Sequence, residues 1–303
     1  MLGNQKGFKI LVVALSVSWL GVLAVNLSPK DIAQTNVFDA DGNLVETEFL
    51  LDAEDKAHVA KNLEEWNEED MRVRARSLAE NGAVAFNYGD FENAIDLYNQ
   101  ALELGTLSEE NTLTLLSNLA IAYEAYNDPM SAVKTYEVLK SKLSEDNALF
   151  HVATGAIALL QEYADVPKAI KELEIALQFL PSDFDANNTL ALIYMGEYGS
   201  EFEDFARALK YNKKTLSISP DNINVKINLS MNYIELGKHE EAIKHLGEVL
   251  KAMPNSMPAN YLIMKAKYAN EEIFEARKYA EKLVEMYDGF QNDKLVAEIL
   301  ESY

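Results

Sequence analysis

Four histidines are the side chains of this sequence best suited to metal binding or proton transfer: His58, His151, His239 and His245. His239 and His245 are separated by six positions, so they do not face one way on adjacent helical turns and do not form a zinc pair. The chain has no cysteine, which excludes thiolate ligands, thiol nucleophiles and disulfides. Each histidine is therefore interpreted as a lone surface or groove residue.

A calcium loop is suggested by the spacing of Asp39, Asp41 and Asn43. The pattern fails because the turn glycine is Gly42, two positions too early, and the closing glutamate would fall at Leu50. The sequence also lacks a serine elbow, a zinc-protease helix, a Walker loop and a dinucleotide-binding glycine motif. It contains 49 acidic residues, so close carboxylate pairs arise by chance. We therefore predict no catalytic, metal or cofactor site and expect that the protein is not an enzyme.

The elements that would carry any site follow a repeated helical-hairpin pattern. Its clearest copy has Leu229-Ser230-x-x-Tyr233 in the first helix and Ala242 in the second. The matching second-helix alanines recur at spacings of 38, 37, 39, 34 and 34 residues: Ala94, Ala132, Ala169, Ala208, Ala242 and Ala276. Other first helices read Leu119-Ala120-x-x-Tyr123, Leu190-Ala191-x-x-Tyr194, Ala156-Ile157-x-x-Leu160 and Ile263-Met264-x-x-Lys267.

Packing explains why these residue types recur. Spacings of three and four place the first-helix residues on one stripe, and the small residue lets the second helix approach closely. Proline marks the helix boundaries: Pro181, Pro220 and Pro254 follow second helices, whereas Pro129 and Pro167 begin them.

This pattern of about 34 residues resembles the tetratricopeptide repeat. The resemblance implies an all-α, right-handed solenoid of about six helical hairpins over residues 75–291. Five extra residues near Gly199 and Ser200 predict a loop that bulges from the stack in the fourth hairpin.

The resemblance also implies a concave groove built mainly from first helices, which would bind a protein or peptide partner. Its asparagine amides could pair with the main chain of an extended peptide. The family's basic clamp for a C-terminal carboxylate is absent, because those positions are mostly Asn, Thr, Ile or acidic. The predicted groove residues are Asn87, Asn118, Glu124, His151, Gln161, Asn188, Asn224, Asn228, Glu235, Tyr261 and Tyr268.

The N-terminal segment, residues 1–27, has the pattern of a membrane anchor or signal peptide. An uncharged run extends over residues 10–25 after Lys6 and Lys9, which keep the preceding end in the cytoplasm. The run is long for a signal-peptide core and short for a full span, and cleavage after Ala24 is the alternative. We expect a bacterial inner-membrane protein with one span and a periplasmic C-terminal domain, or a soluble periplasmic or secreted protein after cleavage.

Three further segments flank the repeats. Residues 28–52 are predicted to form an arm, either extended or a short β-hairpin around Asp41-Gly42, and residues 53–74 are predicted to form a lead-in helix. Residues 292–303 form a predicted C-terminal capping helix, with Asn292 as its N-cap and Leu295, Val296, Ile299 and Leu300 on its apolar face.

The net charge of the chain limits the classes of partner that it is expected to bind. The net charge is −22, and removing the two lysines of residues 1–27 leaves −24 on the remainder. Such a surface repels nucleic acid and anionic headgroups and favours a basic partner. We predict a non-catalytic protein-interaction scaffold of the cell envelope. The alternative is an accessory or regulatory subunit of an integral-membrane enzyme or motor complex, contacting it through the N-terminal helix and the arm.

Overall fold

The computed structural model describes residues 67–302, where thirteen α-helices and two short 3-10 segments occur and no strand is found. The helices are α1 (Glu68–Asn87), α2 (Phe91–Glu103), α3 (Glu109–Ala125), α4 (Pro129–Ser141), α5 (Ala148–Leu160), α6 (Val166–Phe179), α7 (Phe184–Tyr194), α8 (Phe205–Ile218), α9 (Ile223–Glu235), α10 (His239–Ala252), α11 (Met257–Ala269), α12 (Ile273–Met286) and α13 (Lys294–Glu301). The all-α prediction is confirmed. The predicted anchor, the arm and most of the lead-in helix lie outside the described residues.

The described residues fall into two compact units, 67–122 and 123–302. In the first unit, α1 packs against α2 as a hairpin. In the second, α5–α6, α7–α8, α9–α10 and α11–α12 are hairpins, and each second helix also packs against the first helix of the next hairpin. Extensive packing within hairpins and between neighbouring hairpins is that of a tetratricopeptide-like solenoid, as the repeats predict.

The recurrent alanines lie at the centre of the hairpins. All six second-helix alanines named above have no exposed surface. In the first unit a Cβ added to Gly82 would lie 2.5 Å from Cε1 of Tyr98, so only glycine permits this approach. Small residues therefore permit close helix contact within a hairpin.

The third hairpin corrects the predicted register of its first helix. The close-approach residue is Gly155, where an added Cβ would lie 3.0 Å from Cγ of Leu173 and 3.4 Å from the carbonyl oxygen of Ala169. Ile157, predicted for this place, lies two positions further on. The reason is the turn at residues 161–165, which is longer than the turn of the regular hairpins and shifts the alanine of α6 relative to α5.

The loop of the fourth hairpin, residues 195–204, is folded back onto the protein. It contains a 3-10 turn, Ser200–Phe202, which follows Gly199 at a φ of 137°. The backbone amide of Asp204 then donates a hydrogen bond to the carbonyl oxygen of Tyr194 at 2.9 Å. Tyr198 and Phe202 pack against the core formed by α5 to α8. The predicted bulge is therefore wrong in this respect, because two aromatic side chains anchor the inserted residues.

Helix termini follow the sequence signals closely. Asp90, Asp128, Asp165, Asp183 and Asp204 each cap a helix by accepting a hydrogen bond from a backbone amide in its first turn. Pro129 and Pro167 occupy first-turn positions, as predicted. Part of the acidity of this chain is therefore structural.

Both predicted boundaries of the repeat region shift. Helix α1 begins at a capping box formed by Asn67 and Asp70 and continues through residue 75, so the expected boundary falls inside one helix. At the other end the N-cap of α13 is Asp293 rather than Asn292. Its Oδ1 accepts from the amides of Leu295 and Val296, both at 3.0 Å, because residues 288–292 form a 3-10 turn that delays the helix.

Candidate partner-binding site

Two carboxyl groups on first helices of the second unit interact electrostatically with each other. Glu124 lies near the end of α3, where Tyr136 of α4 donates its hydroxyl hydrogen to Glu124 Oε1 at 2.6 Å. Asp185 lies in the first turn of α7, two residues after Asp183, which caps that helix by accepting from the amide of Ala186 at 2.8 Å. Tyr198, from the inserted loop, lies close enough to Glu124 for the two to interact electrostatically. We call Glu124, Asp183 and Asp185 the acidic first-helix site.

The environment of these three carboxyl groups raises the pKa of each of them. Burial raises the pKa of Glu124 from 4.5 to about 7, although the hydrogen bond from Tyr136 acts in the opposite direction. Burial, together with the negative charges of Asp183 and Glu124, raises the pKa of Asp185 well above its usual value. Burial raises the pKa of Asp183 as well. The site therefore resists holding several negative charges at once.

Glu124 and Asp185 form no ion pair with lysine or arginine in the described part of the chain. Desolvated carboxylates without a cation are costly, and an incoming positive charge would lower that cost. The arrangement is therefore suited to receiving the ammonium or guanidinium group of a partner.

Several predicted groove residues instead link successive first helices. Glu235 of α9 accepts from Lys265 of α11 at 2.8 Å. Tyr268 of α11 donates to Glu298 of α13 at 2.7 Å, and the Tyr261 hydroxyl lies 3.4 Å from Asp293 Oδ2. These side chains connect hairpins in the free protein, so a ligand would have to compete with the existing contacts.

His151 is not a groove residue, which corrects its prediction. Its ring is buried, with Nδ1 2.7 Å from Oε2 of Glu172 in α6 and Nε2 donating to the carbonyl of Glu145 at 2.8 Å. The ring also stacks on Phe179 at 5.6 Å. The corrected register explains this position, since His151 precedes Gly155 by four residues and therefore faces the second helix.

In two other hairpins, the residue at the position equivalent to His151 also hydrogen-bonds to the preceding turn. Asn187, four residues before Ala191, donates to the carbonyls of Pro181 and Asp183 at 3.3 and 2.6 Å. Asn260, four residues before Met264, donates to the carbonyls of Pro254 and Ser256 at 3.1 and 2.8 Å. In all three hairpins a nitrogen side chain thus bonds the carbonyl six residues earlier, fixing the turn that connects one hairpin to the next.

The predicted asparagines and glutamine differ in exposure. Asn188 and Asn228 are buried, at 7% and 2% exposed, and Asn228 Nδ2 has no hydrogen-bond partner in the described structure. Asn118 and Asn224 are partly buried, whereas Asn87 and Gln161 are exposed. A binding role for these residues stays a prediction, and the fully buried Asn228 does not present its amide to solvent.

Sequence reasoning missed Asp185, Tyr136 and Tyr198. Asp185 resembles an ordinary acidic residue of a helix start, where carboxylates are favoured by the helix dipole. Tyr198 lies in an insertion outside the repeat pattern. With 49 acidic residues in the chain, no sequence signal separates these carboxylates from solvated ones.

Among residues 67–302, no cluster of three or more His, Cys, Asp or Glu side chains has a geometry suited to a metal ion. Within that same range, no helix combines the length and the apolar character that crossing a membrane requires.

Comparison with known proteins identifies the repeats. Residues 201–268 match the family model of the tetratricopeptide repeat. A TPR repeat-containing protein of Methanocaldococcus jannaschii is 21% identical over 218 residues, covering 68% of this chain and 37% of that protein. This segment of the chain therefore matches the tetratricopeptide repeat family, and the other described helices share the tetratricopeptide-like fold. The tetratricopeptide fold is consistent with a protein-interaction scaffold.

Two further matches each cover about three quarters of this chain. The human intraflagellar transport protein 88 homolog is 23% identical over 260 residues, covering 77% of this chain and 31% of that protein. The crystal structure of the APC/C hetero-tetramer Cut9–Hcn1 aligns with a TM-score of 0.57 at 12% identity, covering 78% of this chain and 46% of that one. This structural likeness shows the fold alone. The chain spans about a third of the length of the two protein relatives.

Proposed function

We propose that this protein is a non-catalytic interaction scaffold whose first-helix surface binds a basic segment of a partner protein. The observation that carries the proposal is the acidic first-helix site, where burial raises the pKa of Glu124 and Asp185 and neither carboxyl has an ion-pair partner among residues 67–302. A lysine or arginine side chain placed there would form charge-assisted hydrogen bonds with groups that are already ordered. The match of residues 201–268 to a repeat family that presents a groove of first helices supports the same surface.

Binding should depend on pH because the site must ionise to attract a cation. The pKa of Glu124 is raised to about 7, so part of the site is neutral at mildly acidic pH. Affinity for a cationic peptide should therefore increase between pH 5.5 and pH 8. A bound cation would in turn lower the pKa of both carboxyls and release protons on binding.

The test uses a labelled hexa-arginine peptide and fluorescence anisotropy. The double variant Glu124→Gln and Asp185→Asn should lose about tenfold in affinity, from two charge-assisted contacts of roughly 0.5–1 kcal/mol each. The matched control is Glu162→Gln with Glu201→Gln, which removes the same charge at two exposed positions. The control should bind within about twofold of the unmodified protein. Equal losses in both double variants would leave only general attraction to an acidic protein.

We further propose that the scaffold works at a membrane, tethered or exported through residues 1–27. The support is the uncharged run that follows Lys6 and Lys9. The second candidate function, an accessory subunit of a membrane complex, is favoured by the same run together with residues 28–52. Pull-down with the full chain and with a chain starting at Ser28 separates the two. Retention of all partners by the shorter chain supports the scaffold, and their loss supports the subunit.

A further inference from the structure

A lysine recurs at one position of five successive second helices. Each lies two residues after the fully buried alanine of its helix, and all five are exposed: Lys134, Lys171, Lys210, Lys244 and Lys278. Two residues correspond to about 200° around an α-helix, so these side chains point away from the first helices. All five belong to the unit formed by residues 123–302. We call them the lysine row.

Most of the lysine row is unpaired, although carboxylates are abundant in this chain. Only Lys278 forms an ion pair within the described residues, with Glu275 at 2.8 Å. Other second-helix cations do find partners, as in Lys140 with Glu137 and Arg277 with Glu281. The chain has 49 acidic against 27 basic residues, so shortage of carboxylates does not explain the unpaired lysines.

Helix α8 is the most basic part of this surface. It carries Arg207, Lys210, Lys213 and Lys214 and has no acidic residue. Like charges three and four residues apart destabilise a helix by a few tenths of a kcal/mol per pair. Arg207 is ion-paired with Asp204, the N-cap of α8, at 3.3 Å, whereas the three lysines have no carboxylate partner within the helix.

Aromatic rings hold three of these cations in place. The Arg207 guanidinium lies 5.3 Å from the ring centre of Tyr194, and its Nη1 donates to the hydroxyl of that residue at 3.1 Å. The ammonium of Lys210 lies 5.2 Å from the Tyr211 ring. That of Lys213 lies 5.8 Å from Tyr233 of the next hairpin. Cations ordered in this way lose less freedom when they bind an anion.

We propose that the lysine row, widened at α8, binds an acidic segment of a partner protein that runs across successive second helices. Charge complementarity selects the acidic chain. Exposed Glu137, Glu174 and Glu241 lie on the same helices beside the row. A broad anionic surface such as a membrane would meet these carboxylates too, whereas a narrow peptide follows the lysines alone. This surface faces away from the acidic first-helix site and does not depend on it.

The test measures binding of a fluorescently labelled poly-glutamate of about 20 residues to the full chain by anisotropy. The unmodified protein should bind it despite its own charge of −22. The triple variant Lys171→Gln, Lys210→Gln and Lys244→Gln should lose about tenfold in affinity, since each exposed charge pair contributes a few-fold. These side chains are exposed, so thermal unfolding should change little.

The control removes three lysines that are equally exposed but lie off the row: Lys142→Gln, Lys238→Gln and Lys294→Gln. It should retain affinity within about twofold. Equal weakening of both triple variants would overturn the proposal, as would failure of the unmodified protein to bind poly-glutamate. Vesicles of phosphatidylcholine with 30% phosphatidylserine form a second arm. Row-dependent binding to vesicles without binding to poly-glutamate would overturn the acidic-peptide assignment in favour of a membrane surface.

Discussion

At the scale of single residues, one repeat position fixes the turns between hairpins. His151, Asn187 and Asn260 stand four residues before the close-approach residue and bond the carbonyl six residues earlier. The fifth hairpin places Lys226 there, and its ammonium lies 2.9 Å from Glu248. Different side chains thus make polar contacts from equivalent places, and a search for identical residues does not detect them.

Replacing His151 tests this assignment. His151→Ala should lower the free energy of unfolding by roughly 1–3 kcal/mol, because Glu172 and the Glu145 carbonyl lose a buried donor. His151→Asn should lose less, since an amide at this position reaches the same carbonyl in two other hairpins. Urea unfolding of the three proteins gives the comparison. An unchanged midpoint for His151→Ala would return His151 to the groove.

Glu124 should make stability depend on pH in a defined direction. Its pKa is about 7 in the folded protein against 4.5 ordinarily, so the folded state holds the proton more tightly than the unfolded state. That stabilisation is complete below pH 4.5 and is lost as pH rises towards 7. Relative to Glu124→Gln, the unmodified protein should lose roughly 1–3 kcal/mol between pH 4.5 and pH 8.

The measurement is urea unfolding of both proteins at several pH values. Glutamine keeps an acceptor for the hydroxyl of Tyr136, so the comparison isolates the charge. Exposed Glu201→Gln is the control and should follow the unmodified protein at every pH. Parallel pH curves for Glu124→Gln and the unmodified protein would contradict the assigned environment.

At the scale of helices and turns, two glycines distinguish the observed register from the predicted one. Gly155 meets Leu173 closely, whereas an added Cβ at Gly247 of α10 finds nothing within 4 Å. Alanine in place of an unrestricted helical glycine stabilises by about 0.5–1 kcal/mol. Gly247→Ala should therefore stabilise the protein. Gly155→Ala should destabilise it by about 1 kcal/mol, because overpacking exceeds the helix-propensity gain.

Chemical denaturation of both alanine variants decides the register of α5. In the register first expected from the sequence, the residue facing α6 is Ile157, and Gly155→Ala would stabilise as Gly247→Ala does. Similar stabilisation by both substitutions would therefore refute the contact between Gly155 and Leu173.

The hairpins could be predicted from the sequence because close helix packing requires small residues. Six alanines recur at regular spacing and therefore mark the second helices. The prediction from the repeat pattern failed where the length of a turn differs from that of the regular hairpins. The turn after α5 moved the register of that helix, and the inserted loop before α8 supplied Tyr198 from outside the repeat. It also failed at Asp185, whose pKa is raised by burial and, in smaller part, by the charges of Asp183 and of Glu124 from two hairpins earlier. Such environments arise from the stacking of hairpins, which the repeat pattern does not encode in detail.

At the scale of the whole molecule, a stack of hairpins must cover its terminal apolar surface. Helix α13 does so at the C-terminus, where Val296 and Ile299 are fully buried with Met264 and Leu283. Each buried aliphatic side chain contributes about 1.5–3 kcal/mol. A chain ending at Asn292 should therefore lose roughly 3–6 kcal/mol of unfolding free energy and aggregate at concentrations where the full chain does not.

Urea unfolding and light scattering test this expectation, with Glu301→Gln as a control at the exposed end of α13. The full chain with Ile299→Asp should reproduce much of the loss without any truncation, since an unpaired charge in that contact is costly. Because neighbouring hairpins stabilise each other, the loss should appear first as early unfolding of α11 and α12, seen as reduced amide protection there. Uniform loss of protection over all described helices would indicate one cooperative unit rather than a stack that unravels from its uncapped end.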